Sequence, residues 1–385
     1  MNTRSVTLGS IARITSGGTP DRDKPAYWDG TIPWVKTTLV QNCEISVDEI
    51  DEKITELGLK ASSAKLIPAG SILMAMVGQG KTRGQVAILR TDAAINQNCA
   101  AIILNEEADY RYVYQQLLFR YEEIRNASNS SGQQNLNAGL IRELRMPLPE
   151  RQTQKKIAEV LISWDTAIKK TEQLIAAKEL HYTHELSRLI SRGQHPHGHV
   201  SAFAEEVSER NRGGNEARVL SVTNSRGFVL PEDQFERRVA SADLSNYKVV
   251  RRGQYAYNPS RINVGSIARL DGWDDGVLSP MYVVFSLDET KVDSDYFLHW
   301  LNSHEARQRI KNSAQGSVRE TVSFSEFAAI TIPLPDTARQ SDVAHYLNAL
   351  REEIDLLGQS VEAYKTQKRG LMQKLLTGQW RIAQS

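Results

Sequence analysis

MPLPERQTQKKIAEVLISWDTAI (Met146–Ile168) aligns without a gap on IPLPDTARQSDVAHYLNALREEI (Ile332–Ile354), so the chain carries one passage twice. The offset, from 146 to 332, is 186 residues in a chain of 385. Pro147/Pro333, Leu148/Leu334, Pro149/Pro335, Ile157/Val343, Ala158/Ala344, Leu161/Leu347 and Ile168/Ile354 coincide. The ends of the two passages correspond as well, LISRGQ (Leu189–Gln194) with LLTGQ (Leu375–Gln379), with one residue inserted. A period this long marks two domain-sized copies rather than a solenoid. Such a chain presents two similar surfaces, so its ligand is expected to be read at two places.

After each proline stop the pattern turns helical. Val343, Leu350, Leu357, Tyr364 and Leu371 recur every seven residues, and Leu347, Ile354, Val361, Lys368 and Leu375 form a second row four residues later. The first copy gives Ile157, Trp164 and Thr171, flanked by Val160, Leu161, Ile168, Leu174, Ile175 and Leu189. No proline or glycine interrupts Gln152–Arg192, and Gly358 and Gly370 are the breaks in the second copy. Each copy therefore predicts a helix of about 40 residues, roughly 60 Å long. Gly193 and Gly378 are expected to end these helices in a left-handed conformation. A sustained seven-residue repeat argues for a helix–helix seam. Ile157, Leu161, Trp164, Ile168 and Ile175 would face Val343, Leu347, Leu350, Ile354, Leu357 and Val361, antiparallel. The alternative is that each helix packs only on its own domain. Thr171, Lys178 and Lys368 are polar seam positions expected to restrict register.

Composition bounds the remainder. With 40% hydrophobic and 24% charged residues the chain reads as a globular protein of two or three domains. The longest apolar run, Ser71–Val77, is strand-length, and the amino terminus has no apolar leader, so a cytoplasmic protein is expected. Cys43 and Cys99 suit neither a disulfide framework nor a zinc site. A net charge of +1 leaves little basic excess, so any nucleic-acid surface must be local or shared with a partner.

Ahead of each helix lie short β-type runs punctuated by glycine. These are Ile32–Val35, Ser71–Met76, Gln85–Leu89 and Ala100–Leu104, then Arg218–Val222, Gln254–Tyr257, Ser266–Leu270 and Tyr282–Leu287. A short helical pattern closes each set, Tyr112–Ile124 and Tyr296–Ile310. The predicted class is α/β in the α+β sense. The predicted division is a globular domain over 1–149, a long helix over 150–193, a second globular domain over 194–335, and a second helix with its tail over 336–385. His195-Pro-His-Gly-His199 could hold a metal but lacks a completing ligand, and reads as a solvated connector.

Motifs for catalysis mostly fail. Ala75-Met-Val-Gly-Gln-Gly-Lys81-Thr82 fits a relaxed phosphate loop, yet Arg83–Leu89 continues as a strand where a helix is needed. Asn258-Pro-Ser260 falls short of the Asn-Pro-Pro-aromatic loop of amino-methyltransferases, and no cofactor-binding turn or nucleophile–base set is visible, so neither cofactor nor metal is expected. What recurs is polar loops beside strands: Lys81, Thr82, Arg83, Gln133 and Gln134 in the first copy, and Asn258, Ser260, Arg261, Asn263, Ser317 and Arg319 in the second. Such side chains bond base edges and phosphates, which makes them the candidate DNA-binding residues.

The chain resembles the specificity subunit of type I restriction–modification systems. The resemblance rests on Gly30-Thr-Ile-Pro-Trp-Val35, Pro68-Ala-Gly-Ser-Ile-Leu73, Ile95-Asn-Gln97, the duplicated Pro-Leu-Pro with its helix, and Arg369–Gly378. It implies two target recognition domains, each followed by a long helix, the helices forming an antiparallel coiled coil with pseudo-twofold symmetry. It further implies a non-catalytic subunit that binds a bipartite site in double-stranded DNA and recruits two modification (methyltransferase) subunits and, through them, restriction subunits. Ile11–Val40 and Phe203–Leu230 match only weakly, which implies two different half-sites. The competing readings are a nucleotide hydrolase centred on Lys81, a free-standing methyltransferase, and a coiled-coil scaffold with no nucleic-acid role.

Overall fold

The computed structural model describes residues 3–78, 80–130, 135–214, 216–231, 243–314 and 321–380. The chain divides into two units: unit 1 holds residues 1–171 and 360–385, and unit 2 holds residues 172–359.

Unit 1 contains strands β1 (Arg4–Thr7), β2 (Ala12–Ser16), β3 (Trp28–Val35), β4 (Cys43–Ile45), β5 (Lys53–Ile54), β6 (Leu66–Ile67), β7 (Ile72–Ala75), β8 (Val86–Leu89), β9 (Ala93–Ile95), β10 (Cys99–Leu104) and β11 (Arg145–Leu148). Its helices are α1 (Leu8–Ile11), α2 (Glu56–Lys60), α3 (Tyr110–Phe119), α4 (Tyr121–Ser130), α5 (Ala138–Glu143) and the first part of α6 (Arg151–Leu186). The central sheet has the order β2-β10-β7-β8-β4. Both of its faces are covered, and the strand alternation shows how. Ile72, Met74, Val86, Ile88, Ala100 and Ile102 pack with the helices. Their neighbours Leu73, Ala75, Ala87, Leu89, Cys99 and Ala101 pack with Val35, Ile67, Ala93 and Ile95 of a second sheet, ordered β5-β3-β9-β6. The Gly30–Val35 and Ile95–Gln97 passages are adjacent here, with Val35 paired to Ile95 in parallel. A side chain on Gly17 would strike the Ile95 carbonyl, which is why the chain needs glycine at that crossing.

Unit 2 repeats the central plan. Its strands are β12 (His197–His199), β13 (Ala204–Val207), β14 (Ser221–Thr223), β15 (Gly227–Val229), β16 (Lys248–Arg251), β17 (Tyr255–Tyr257), β18 (Ile267–Arg269), β19 (Asp275–Leu278), β20 (Val283–Leu287) and β21 (Thr331–Pro333). Its helices are α7 (Ser294–Asn302), α8 (His304–Ala314), α9 (Phe324–Ala328) and the first part of α10 (Thr337–Leu376). The order β13-β20-β17-β18 matches β2-β10-β7-β8. Tyr255, Tyr257 and Phe285 face the helices, and Ala256 and Val284 face the other side.

The proline stop is fixed by a buried glutamine in each unit. Gln154, fully buried, donates from Nε2 to the carbonyls of Pro149 (2.8 Å) and Glu107 (3.0 Å) and accepts from the Asp109 amide (2.8 Å). Gln340 makes the same three bonds, to Pro335 (2.8 Å), Lys291 (3.3 Å) and Asp293 (2.9 Å). Asp109 and Asp293 then cap α3 and α7, and Tyr112 and Tyr296 reach the Pro147 and Pro333 carbonyls at 2.9 and 3.0 Å. Side-chain oxygens on the first helical amides satisfy groups that would otherwise lack partners.

The long helices make their contacts within each unit. In unit 1 Ile157, Ala158 and Leu161 share a core with Met372, Leu375 and Leu376, Val361 is buried, and Trp164 meets Tyr364 edge-on at 5.8 Å. In unit 2 Val343, Ala344, Leu347 and Ile354 share a core with Leu186 and Ile190, and Ile175 and Leu350 pack against it. Ile168 and Leu357 are half-buried. As α6 advances from Lys178 to Tyr182 its partner on α10 retreats from Glu353 to Arg351, the antiparallel sense. Of the polar seam positions, Lys368 bonds Asp165 (2.6 Å), Lys178 bonds Glu353 (2.7 Å), and Thr171 turns back to its own helix.

Four expectations need correction. Tyr112–Ile124 and Tyr296–Ile310 are each two helices, broken at Arg120 and Ser303. The strand expected over Arg218–Val222 is Ser221–Thr223. Gly193 is not left-handed: α6 ends in a widened π turn over Ser187–Ser191, and only Gly378 takes the positive φ, at 76°. Lastly, His195–His199 is largely solvent-exposed as expected but is no irregular connector, because His197, Gly198 and His199 pair with Pro333, Ile332 and Thr331. Among the described residues no cluster of His, Cys, Asp and Glu could hold a metal, and no helix is long and apolar enough to cross a membrane.

Candidate nucleic-acid interface

In unit 1 the chain from Met76 to Gln85 closes a hairpin between the antiparallel strands β7 and β8. The Gly84 amide donates to Ala75 O (2.9 Å) and the Gln85 amide to Thr82 O (3.0 Å). Gly78, Gly80 and Gly84 have φ of 140°, 78° and 88°, values that other residues adopt only at a cost. This is where the phosphate-loop reading ends: no helix N-terminus follows, so no row of amides converges on a phosphate. The hydroxyl of Tyr121, at the start of α4, holds the Lys81 carbonyl. Lys81 is left exposed, with Thr82 and Arg83 half-buried. The Leu136 amide bonds Met76 O at 3.0 Å, which brings the stretch after residue 134 to the base of the hairpin. Gln133 and Gln134 lie outside the described residues.

Unit 2 builds the equivalent hairpin between β17 and β18 from different residues. Asn258 Oδ1 accepts from the Ser260 amide (3.0 Å) and Asn258 O from the Arg261 amide (2.9 Å), a tight turn that turns Ser260 and Arg261 outward, both exposed. One 3₁₀ turn, Ile262–Val264, buries Ile262 and leaves Asn263 half-buried, and Gly265 at φ 93° closes it. The Val322 amide bonds Pro259 O at 3.1 Å, the counterpart of Leu136 on Met76. Ser317 and Arg319 lie outside the described residues.

Sequence reasoning missed the turn beside this loop. Thr223-Asn-Ser-Arg-Gly227 joins β14 to β15, with Thr223 Oγ1 accepting from the Arg226 amide (3.0 Å). Buried Ser266 donates to Val222 O at 2.8 Å, so the two turns share a base, with Asn224, Ser225 and Arg226 exposed at the tip. The signal was available: four turn-type residues among five, between two apolar runs. In unit 1 Asn42, left-handed at φ 56°, takes the corresponding place and accepts the Val86 amide at 3.1 Å. Each unit thus displays a hairpin loop with a second turn braced against it. Amides, hydroxyls and guanidinium groups in this arrangement can bond base edges and phosphates. They supply no nucleophile–base pair.

Residues 2–178 match the family "Type I restriction modification DNA specificity domain". The chain is 31% identical over 166 residues to the EcoR124I/EcoR124II specificity subunit of Escherichia coli, covering 42% of this chain and 40% of that one. It is 21% identical over 309 residues to the MjaVIII specificity subunit of Methanocaldococcus jannaschii, covering 72% of each. The chain thus spans well under two thirds of the Escherichia coli relative. Among solved structures it is similar to the type I restriction–modification S subunit from M. genitalium, with a TM-score of 0.59, 16% identity, and coverage of 98% and 96%. A chain from a structure of type I complex assembly gives a TM-score of 0.61 at 14% identity, with 98% of each chain covered. Residues 2–178 are thus similar to the type I restriction–modification DNA specificity domain, and over nearly its whole length the chain shares the fold of the solved S subunits.

Proposed function

We propose that this chain is the DNA sequence-recognition subunit of a type I restriction–modification complex, without catalysis of its own. Residues 1–149 and 194–335 act as the two target recognition domains. Residues 150–193 and 336–385 carry the long helices, which form an antiparallel coiled coil. Each recognition domain reads one half of a bipartite site in double-stranded DNA. Two methyltransferase subunits, and restriction subunits through them, join on the rest of the surface.

One observation carries the reading: two hairpin loops on the same sheet scaffold, braced in the same way, with unlike side chains at their tips. A duplicated scaffold with divergent loops suits a ligand with two related but unequal parts. In unit 1 Lys81, Thr82, Arg83, Gln133 and Gln134 are the proposed contacts. In unit 2 they are Asn258, Ser260, Arg261, Asn263, Ser317 and Arg319, to which Asn224 and Arg226 are added. The net charge of +1 argues that phosphate neutralisation is shared with the methyltransferase partners. Titrating labelled duplex with the chain alone, and with the co-expressed methyltransferase, tests this. Weak binding alone and tight, steeply salt-dependent binding in the complex are expected. Tight sequence-specific binding by the isolated chain would contradict it.

A further inference from the structure

We infer that the polar contacts along the two long helices select the pairing of unlike helices and disfavour like ones. Apart from Trp164, whose counterpart is Leu350, the apolar seam carries little such information. Ile157/Val343, Leu161/Leu347, Ile168/Ile354 and Ile175/Val361 are near-equivalent in size and occupy equivalent places in the repeat. On apolar packing alone, α10 of one chain would suit α10 of another, giving a twofold dimer of self-complementary surfaces.

The polar positions break this equivalence. The repeat carries Asp165 onto Arg351 and Tyr182 onto Lys368. In unit 1 Lys368 Nζ bonds Asp165 at 2.6 Å, with the Lys368 side chain only 12% exposed. In unit 2 the same pair of positions holds the Arg351 guanidinium 5.2 Å from the centre of the Tyr182 ring. One unit therefore uses a cation on an anion and the other a cation on an aromatic face. Lys178 adds a third contact, to Glu353 at 2.7 Å, where the repeat would place Ala167.

Exchanging the helices shows what these residues exclude. Two copies of α10 in the same antiparallel register set Arg351 against Lys368 at both ends, and leave Glu353 facing Tyr364 in place of Lys178. Lys368 would there be a desolvated ammonium beside a guanidinium, a costly arrangement. Two copies of α6 set Asp165 against Tyr182 and Lys178 against Ala167, so both ion pairs are lost. Of the three pairings, only the unlike one keeps both ion pairs. The device favours pairing within one chain over a dimer of like helices, and it holds whatever the loops bind.

The test uses the full chain and reads oligomeric state by light scattering over a concentration series, with melting temperature alongside. Wild type is expected to be monomeric. Lys368→Glu places a carboxylate against Asp165 and makes α10 complementary to itself through Arg351. It should melt lower and self-associate at least tenfold more strongly. Adding Asp165→Lys restores the unlike pair, and D165K/K368E should recover near wild-type melting. Adding Arg351→Glu instead removes the complementarity, so R351E/K368E should not dimerise. Should Lys368→Glu precipitate, D165K/K368E still decides: recovery of its melting temperature supports the inference and a melting temperature that stays low overturns it. A dimeric wild type, a monomeric Lys368→Glu that melts like wild type, or a dimer that persists in R351E/K368E would each overturn it.

Discussion

Replacing Gln154 by leucine keeps nearly the same volume and removes only hydrogen bonds. Three backbone groups lose their partner: the Asp109 amide, at 2.8 Å, and the carbonyls of Glu107 and Pro149, at 3.0 and 2.8 Å. An orphaned buried group costs about 1–3 kcal/mol, the amide toward the upper end because it has a single hydrogen to place. The sum expected for Gln154→Leu is about 3 kcal/mol, and Gln340→Leu should match it in unit 2, where the same three bonds recur. Gln154→Glu separates polarity from shape. A carboxyl there can bond both the amide and a carbonyl only when protonated, so its pKa in the folded chain rises. Its contribution is then present below the unfolded value of about 4.3 and is lost as pH rises through the folded value. Urea unfolding at pH 7 gives the free energies, and hydrogen exchange at the Asp109 and Asp293 amides localises them. Losses below about 0.5 kcal/mol in both leucine variants, with both amides still protected, would refute the clamp.

Three further outcomes follow from particular contacts. Leu347 is fully buried in the unit 2 core, so Leu347→Ala should cost about 2–5 kcal/mol in urea unfolding. His299 is buried, and burial holds its pKa below the ordinary 6.5 despite the bond to Asn348 and the nearby Asp295 carboxylate. A depressed pKa means that the unfolded chain takes up the proton first. His299 should therefore cost stability as pH falls below about 6.5 toward its folded pKa, and melting curves of His299→Gln should be flatter there. Lys81→Ala should lower the salt slope of DNA binding by about 1 without creating or removing any nucleotide binding, as seen in filter binding over a salt series.

The duplication was legible because Pro-Leu-Pro and its helix keep side-chain identity across both copies. The reason lies in the clamp, which requires glutamine at 154 and 340 and proline carbonyls at fixed distances from it. The beginnings of the units looked unrelated, yet they correspond in backbone. Asn105 N bonds Ile11 O, and Asp288 N bonds Phe203 O; Leu8 N bonds Leu144 O, and Val200 N bonds Ile330 O. Main-chain pairing leaves no residue-type signature, so no side-chain alignment could find it. The His197–His199 strand escaped notice for the same reason, since glycine and histidine are poor strand formers that the Thr331–Pro333 edge recruits. Thr223–Gly227 was overlooked because the strands it joins are three residues each, too short to show alternation.

One residue bears most directly on the claim that each unit reads its own half of a DNA site. Arg261 is exposed at the tip of the β17–β18 hairpin, in a turn fixed by Asn258. Loss of one bidentate base contact costs about 1–3 kcal/mol and relaxes a single position. Sequencing the methylated sites in cells that express Arg261→Ala with its methyltransferase should show one half-site relaxed at one position and the other half unchanged. Relaxation in both halves would contradict the one-unit, one-half-site reading, and an unchanged motif at full methylation would remove Arg261 from the recognition surface.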